Sequence, residues 1–476
     1  MLNIISRFMS PAFMVKPEIV CGPLPNTKEA YRDLLNIAIP SIIEMVFVSL
    51  IGSVNIIMLG RLDYAAIAAV GIAAQPQMIM LSMFFAMNVG VTAIVARKKG
   101  QNLRDEANIT IRNALVLIVG LTAVVMALTL TFSYKLMILA GAQADTLGIA
   151  NEYFRIITYF LPVSTLTMCV NAAQRGVGNT RIPMISNLAA NIVNVIFNYL
   201  LIYGNWGFPR LGVSGVAWAS GIGLCVGMYI SFLGLFGRKS NGAFLHISLK
   251  DDWRPDWETV KSIVKLGGNS AIEQVAQRIG FFIYAVVIAN LGTAVFAAHQ
   301  VGAQFLNFSF NFGNGLAVAG TSLVGQTLGQ KRPDLAVVYG KCTQRLSLLV
   351  SFIFAGTVFL FRYPLVSVFL DRSDPMNALP FSIAVDLMLM VALFQLPQTS
   401  AVVVSGCLRG AGDNLFVAVV MIICVAVIRP VFCLAAVNVF GLGILGAWGA
   451  SLIDMSLRFA LAYRRFSGSK WQNIKV

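Results

Sequence analysis

The sequence predicts an all-α membrane protein: twelve transmembrane helices arranged as two six-helix, pseudo-symmetric lobes, with both termini cytoplasmic. Three observations carry this. Hydrophobic residues make up 58% of the 476 and charged residues 12%, whereas a soluble domain carries roughly 25% charge. The mean hydropathy is +0.78, and apolar runs of about 20 residues, enough to cross a bilayer as a helix, recur along the chain. The first half of the sequence also reappears in the second.

The predicted spans cover 34–59, 66–96, 110–134, 150–173, 182–203 and 212–236 in the first half. In the second they cover 260–290, 294–326, 340–361, 380–407, 414–438 and 444–463. Residues 1–33 read as a short amphipathic lead-in, since no small-residue cleavage site closes an apolar core. Residues 237–259, with Lys250, Asp251, Asp252, Arg254 and Asp256, form a polar linker between the lobes 34–236 and 260–463, and 464–476 are a basic tail.

Loop charge sets the orientation. Arg97, Lys98, Lys99 and Arg104 share one loop, Lys331 and Arg332 another, and Arg464, Arg465, Lys470 and Lys475 lie in the tail. The alternate loops hold at most two basic residues each. This is the positive-inside pattern, and it places both termini in the cytoplasm. The net charge of +15 is distributed in these loops and is no nucleic-acid signal.

The repeat is a shift of 229 positions: Ser270 falls on Ser41, Glu273 on Glu44, Ala297-Ala298 on Ala68-Ala69 and Gln304 on Gln75. Arg409-Gly-Ala-Gly-Asp413 matches Arg175-Gly-Val-Gly-Asn179 at a shift of 234, as loop insertions allow. Six spans per half give the halves the same polarity, a build that transporters use with a cavity between repeats.

Glu44 and Glu273 are the candidates for binding a coupling cation or proton. A carboxylate inside a membrane span is costly, so it points to function. Ser270, Glu273, Gln277 and Tyr284 share one helical face, a possible cavity wall. The alternative is a structural acid, hydrogen-bonded to a neighbouring helix near the cytoplasmic end. Arg278 lies about 140° around the helix from Glu273 and needs a partner elsewhere, with Asp386 and Asp454 as candidates. Arg175 and Arg409 each open an RGxG corner at a helix end, read as structural or gating. His299 reads as a buried, hydrogen-bonded ring.

Other chemistries lack residues. Seven scattered cysteines form no CxxC pair and two histidines make no metal site. Gly441-Leu-Gly-Ile-Leu-Gly446 fits GxGxxG, yet it opens an apolar span with no strand before it. No Walker motif occurs. No catalytic constellation supports an enzyme, and no cofactor is expected.

Val54-Asn-Ile-Ile-Met-Leu-Gly-Arg61, Ala297-Ala-His-Gln300 and the two RGxG corners together resemble the multidrug and toxic compound extrusion (MATE) family, over nearly the whole chain from about residue 30. The resemblance implies a V-shaped pair of lobes alternating between outward- and inward-facing states. It implies a cation-coupled antiporter of small cationic or aromatic compounds, driven by H+ or Na+, in a bacterial inner membrane. Members often carry acids at the positions of Asn55, Gln277 and Gln398, which are amides here. That leaves Glu273, then Glu44, for coupling, and assigns Asn55, Gln277, Arg278, Tyr284 and Gln398 to the cavity. The expected partners are a small-molecule substrate and membrane lipid, with the chain a monomer. The competing function is a flippase for a lipid-linked precursor, which would favour a strongly cationic cavity. A membrane-embedded enzyme or receptor is the third reading.

Overall fold

In the computed structural model, residues 10–15, 17–60, 64–143, 146–236, 243–248, 250–370 and 378–474 are described. Thirteen long helices account for most of them. They are α1 (Thr27–Gly60), α2 (Tyr64–Gly100), α3 (Arg104–Leu139), α4 (Leu147–Tyr159), α5 (Leu161–Gly176), α6 (Arg181–Tyr203) and α7 (Val213–Phe236). After the linker come α8 (Trp257–Ala289), α9 (Thr293–Gly329), α10 (Pro333–Leu360), α11 (Ala378–Gly410), α12 (Asn414–Val439) and α13 (Gly443–Ser467).

Ten of these helices are individually long and apolar enough to span a membrane. Helices α4 and α5 make an eleventh span bent by 49°. The bend follows from Pro162, which has no N–H to donate and whose ring crowds the preceding turn. Helix α9, the expected eighth span, has 37 residues. It falls short on apolarity because Gln304, Asn307, Asn311 and Asn314 interrupt it. Every predicted span therefore lies on a helix. Large apolar side chains face outward, Phe282, Phe352 and Ile353 among them. That surface suits hydrocarbon, where helices already satisfy their own backbone groups.

The chain forms two compact units, residues 43–271 and residues 1–42 with 272–476. The divisions fall inside α1 and α8. In the unit of residues 1–42 and 272–476, the start of α1 is part of the core. Ala30, Leu34, Ile37 and Ala38 pack with Leu316, Ala319, Leu323 and Val403. Gly315 permits this approach, since a Cβ there would meet Ile42 N and Cα at 2.9 Å. A second cluster joins Ala298, Leu387, Met388, Phe394 and Trp448. In the unit of residues 43–271, Ala69, Ala73, Met137, Phe154, Ile157 and Val216 form the core.

Helix α8 starts on a polar cap. Asp256 Oδ2 accepts from the Thr259 backbone N–H at 3.2 Å and from its hydroxyl at 2.5 Å. This satisfies a donor that the helix start leaves open. The Asp256 N–H donates to Asn113 Oδ1 at 2.8 Å, tying the cap to α3.

Helix α12 is irregular. It is α-helical over Asn414–Met421, widens to a π-helix over Ile422–Ile428, returns to α over Arg429–Leu434, and widens again over Ala435–Val439. Pro430 lacks the N–H that a regular ladder needs, and π turns absorb such defects. Arg429 thus stands at the junction of two backbone geometries.

Candidate functional site: a cavity with a guanidinium cluster

A cavity of about 450 Å³ opens within the unit of residues 1–42 and 272–476, a size that accepts one drug-sized molecule. Helix α8 contributes Gln277, Arg278, Phe281, Tyr284 and Ala285, spaced as one helical face requires. His299, Leu306, Asn307 and Phe310 come from α9, and Phe394 and Gln398 from α11. Arg429 comes from α12, and Trp448, Ser451, Met455 and Arg458 from α13. Gly280 lets α8 and α12 touch, since a Cβ there would meet Val425 O at 2.1 Å.

Four of the sequence-predicted site residues meet in this cavity: Gln277, Arg278, Tyr284 and Gln398. The side chain of Asn55 lies outside the described residues. Glu273 and Glu44 do not line it. Each is buried, at 2% and 3% exposure, and each is taken by the arginine of its own RGxG corner. Arg409 Nη2 donates to Glu273 Oε1, and Arg175 Nη2 donates to Glu44 Oε1. Asn187 Nδ2 also donates to Glu44 Oε1, at 2.6 Å. Both acid and arginine recur in the two sequence halves, so the signal for pairing them was present in the repeat.

The charged centre of the cavity is one that sequence reasoning missed. Arg429 Nε and Nη2 donate to Asp454 Oδ2 at 3.0 and 2.5 Å. Arg458, one turn along α13, donates from Nη2 to the same oxygen at 3.2 Å, with its Nε 3.2 Å from Oδ1. Asp454 is fully buried and Arg429 is 2% exposed. The Arg429 guanidinium also lies 4.7 Å from the Phe281 ring centre and 5.6 Å from that of Tyr284, a favourable placement over π faces. Two partners for Arg278 were anticipated, and neither is found. Asp454 is occupied by Arg429 and Arg458, and Asp386 is exposed on α11. Arg278 has no ion-pair partner among the described residues.

His299 is held as a hydrogen-bonded ring, as its apolar setting suggested. Trp448 Nε1 donates to His299 Nδ1 at 3.2 Å, so in the neutral ring the proton sits on Nε2. Trp448 also meets Phe394 edge to face at 5.6 Å. Gln398 Nε2 donates to Leu306 O at 3.2 Å, while its buried Oε1 has no hydrogen-bond partner. The cavity therefore offers aromatic walls and a guanidinium cluster, with an unpartnered but buried acceptor on Gln398. No group of three or more His, Cys, Asp or Glu side chains that could hold a metal occurs among the described residues.

A sequence profile of the MatE family matches residues 40–200 and 270–435. The chain belongs to the MATE family. A probable multidrug resistance protein NorM of Thermotoga maritima is 28% identical over 465 residues, covering 95% of this chain and 96% of that one. The multidrug resistance protein PmpM of Pseudomonas aeruginosa is 27% identical over 388 residues, covering 80% of this chain and 79% of that one. Among solved structures, an outward-facing multidrug resistance MATE transporter superposes with a TM-score of 0.85 at 19% identity, over 92% of this chain and 96% of that one. This MATE chain is therefore a multi-pass membrane transporter of small molecules, with the helical fold that its hydropathy predicted, and not an enzyme.

Proposed function

We propose that this MATE protein is a cation-coupled antiporter that exports small aromatic compounds by alternating access. The observation that carries the reading is the cavity, set among α8, α9, α11, α12 and α13 and walled by Phe281, Tyr284, Phe310, Phe394 and Trp448. Aromatic faces bind flat organic molecules through large apolar contact without demanding one shape. In this reading the cavity holds the substrate, with Gln277, Arg278, Tyr284 and Gln398 among its contacts.

Coupling is assigned to the two buried acids. Entry of H+ or Na+ at Glu273 displaces Arg409, and the same exchange at Glu44 displaces Arg175. Each event changes the local charge pairing between two helices, a bias that can shift a two-state equilibrium if the states bind the cation unequally. A buried acid inside a membrane span is expensive, and its occurrence with an arginine partner in both units supports this role. The basic clusters at the ends of α2 and α13 support a plasma-membrane orientation with both termini cytoplasmic. Bacterial relatives support a bacterial inner membrane, where the chain acts as a monomer surrounded by lipid.

The test is efflux from proteoliposomes under imposed H+ or Na+ gradients, using fluorescent aromatic dyes of both charge signs. Gradient-dependent efflux of at least one dye is expected. Efflux of every dye at the protein-free rate under both gradients would overturn the reading.

A further inference from the structure

The sequence-based expectation for the substrate included organic cations, but the charge of this cavity favours the opposite sign. Arg278, Arg429 and Arg458 line it, and among the described residues Asp454, paired with Arg429 and Arg458, is the one carboxylate that meets any of them. Two of these guanidiniums, Arg429 and Arg458, are buried against the single carboxylate of Asp454, while Arg278 adds a third positive charge at the exposed side of the cavity. The buried excess is costly in a low-dielectric interior until an anion neutralises it.

We propose that the cavity is a receptor for aromatic organic anions, with the substrate oxyanion bound by Arg429 and Arg278. The proposal rests on the cavity being the substrate site, as read above. Arg429 spends Nε and Nη2 on Asp454, which leaves its Nη1 edge without a partner among the described residues. Arg278 has no carboxylate of its own. A guanidinium is suited to this task because its planar donors match the two oxygens of a carboxylate. Asp454 fixes the direction of Arg429, so the donors are oriented before a ligand arrives. Gln398 also lines the cavity, and its buried Oε1, without a hydrogen-bond partner, gains one when the amide turns to accept from an N–H or O–H elsewhere on the ligand. Tyr284, Phe394 and Trp448 take its flat apolar body. The ligand class is thus a flat, mono-anionic molecule with a hydrogen-bond donor on its ring. An organic cation would meet the same rings with its charge opposed by the net positive charge that Arg278, Arg429 and Arg458 keep after pairing with Asp454.

The experiment is equilibrium binding to the purified full-length protein in detergent, with no gradient present. The probes are radiolabelled 6-hydroxy-2-naphthoate and the corresponding naphthyl trimethylammonium. Saturable naphthoate binding at least tenfold tighter than the ammonium is expected. Arg278→Gln, at an exposed position without an ion pair, is expected to weaken naphthoate by about tenfold, the loss of roughly one charge-assisted contact. Gln398→Leu is expected to bring its affinity toward that of 2-naphthoate, which lacks the donor. An ammonium preference, absence of saturable naphthoate binding, or unchanged affinity in Arg278→Gln would overturn the proposal. Farnesyl diphosphate that binds more tightly than the naphthoate would also overturn it, in favour of a lipid headgroup. Binding is read without transport, so a failed efflux assay does not decide this outcome.

Discussion

Arg409 holds Glu273 through a side-chain ion pair between α11 and α8, and Arg175 holds Glu44 between α5 and α1. The acid and the RGxG arginine were two separate repeats in the sequence and are one device in the structure. A double-mutant cycle with Glu273→Gln and Arg409→Gln tests it. Each single change leaves a buried polar partner unmatched, whereas the double change removes both charges. The expected coupling is about 1–2 kcal/mol, below the 3–5 of a fully buried pair because Arg409 is partly solvated. Denaturant unfolding of the three variants in detergent measures it, and additive effects would contradict the pairing.

Asp454 is the counter-charge for Arg429 and Arg458. Asp454→Asn keeps the shape but leaves two buried guanidiniums uncompensated. Breaking a buried pair in this way costs about 3–5 kcal/mol. The melting temperature is expected to fall well below that of the unaltered protein. Added 6-hydroxy-2-naphthoate is expected to raise it more in the variant than in the parent, because the ligand supplies the missing negative charge. An unchanged melting temperature would show that Asp454 carries no such burden.

Trp448 lies in the cavity wall and donates to His299. A bound aromatic ligand should therefore alter its fluorescence. Trp448→Phe retains an aromatic ring and removes the indole donor. Most of the ligand-dependent fluorescence change is expected to vanish in that variant. Retention of the full change would place the ligand near another tryptophan.

Asp256 caps α8 outside the membrane-spanning segment. Its carboxyl titrates below the usual carboxylate value, chiefly because the Thr259 hydroxyl donates to it, with the Thr259 and Glu258 backbone groups adding to the effect. A lowered folded-state value means that this stabilisation is complete above the unfolded carboxyl value of about 3.9. It fades as the pH falls through the lower folded value. Asp256→Ala is expected to cost about 1 kcal/mol at pH 7. Thermal melts at pH 7 and at pH 3 should show the gap narrowing in acid, and an equal gap at both would contradict the cap.

The helices were legible because lipid-facing and core-facing residues are both apolar, so a span appears as a run whatever its neighbours. Even α9, weakened by Gln304 and three asparagines, stood among the predicted spans at 294–326. The cavity face of α8 was readable from the spacing of Gln277 and Tyr284. Arg429 was not, because one basic residue in IICVAVIRPVFCLAA carries no period. Its meaning depends on Asp454, which lies 25 residues away on another helix. The spacing of Asp454 and Arg458 shows that they share a face of α13, but only the packing shows that the face meets α12. The same limit applied to Arg278, whose two proposed partners were chosen by charge alone.

Efflux driven by an imposed gradient in proteoliposomes bearing Glu273→Gln tests the coupling assignment most directly. Efflux is expected to fall to the rate seen without a gradient, while 6-hydroxy-2-naphthoate still binds to the purified variant. Full gradient-driven export by Glu273→Gln would contradict it.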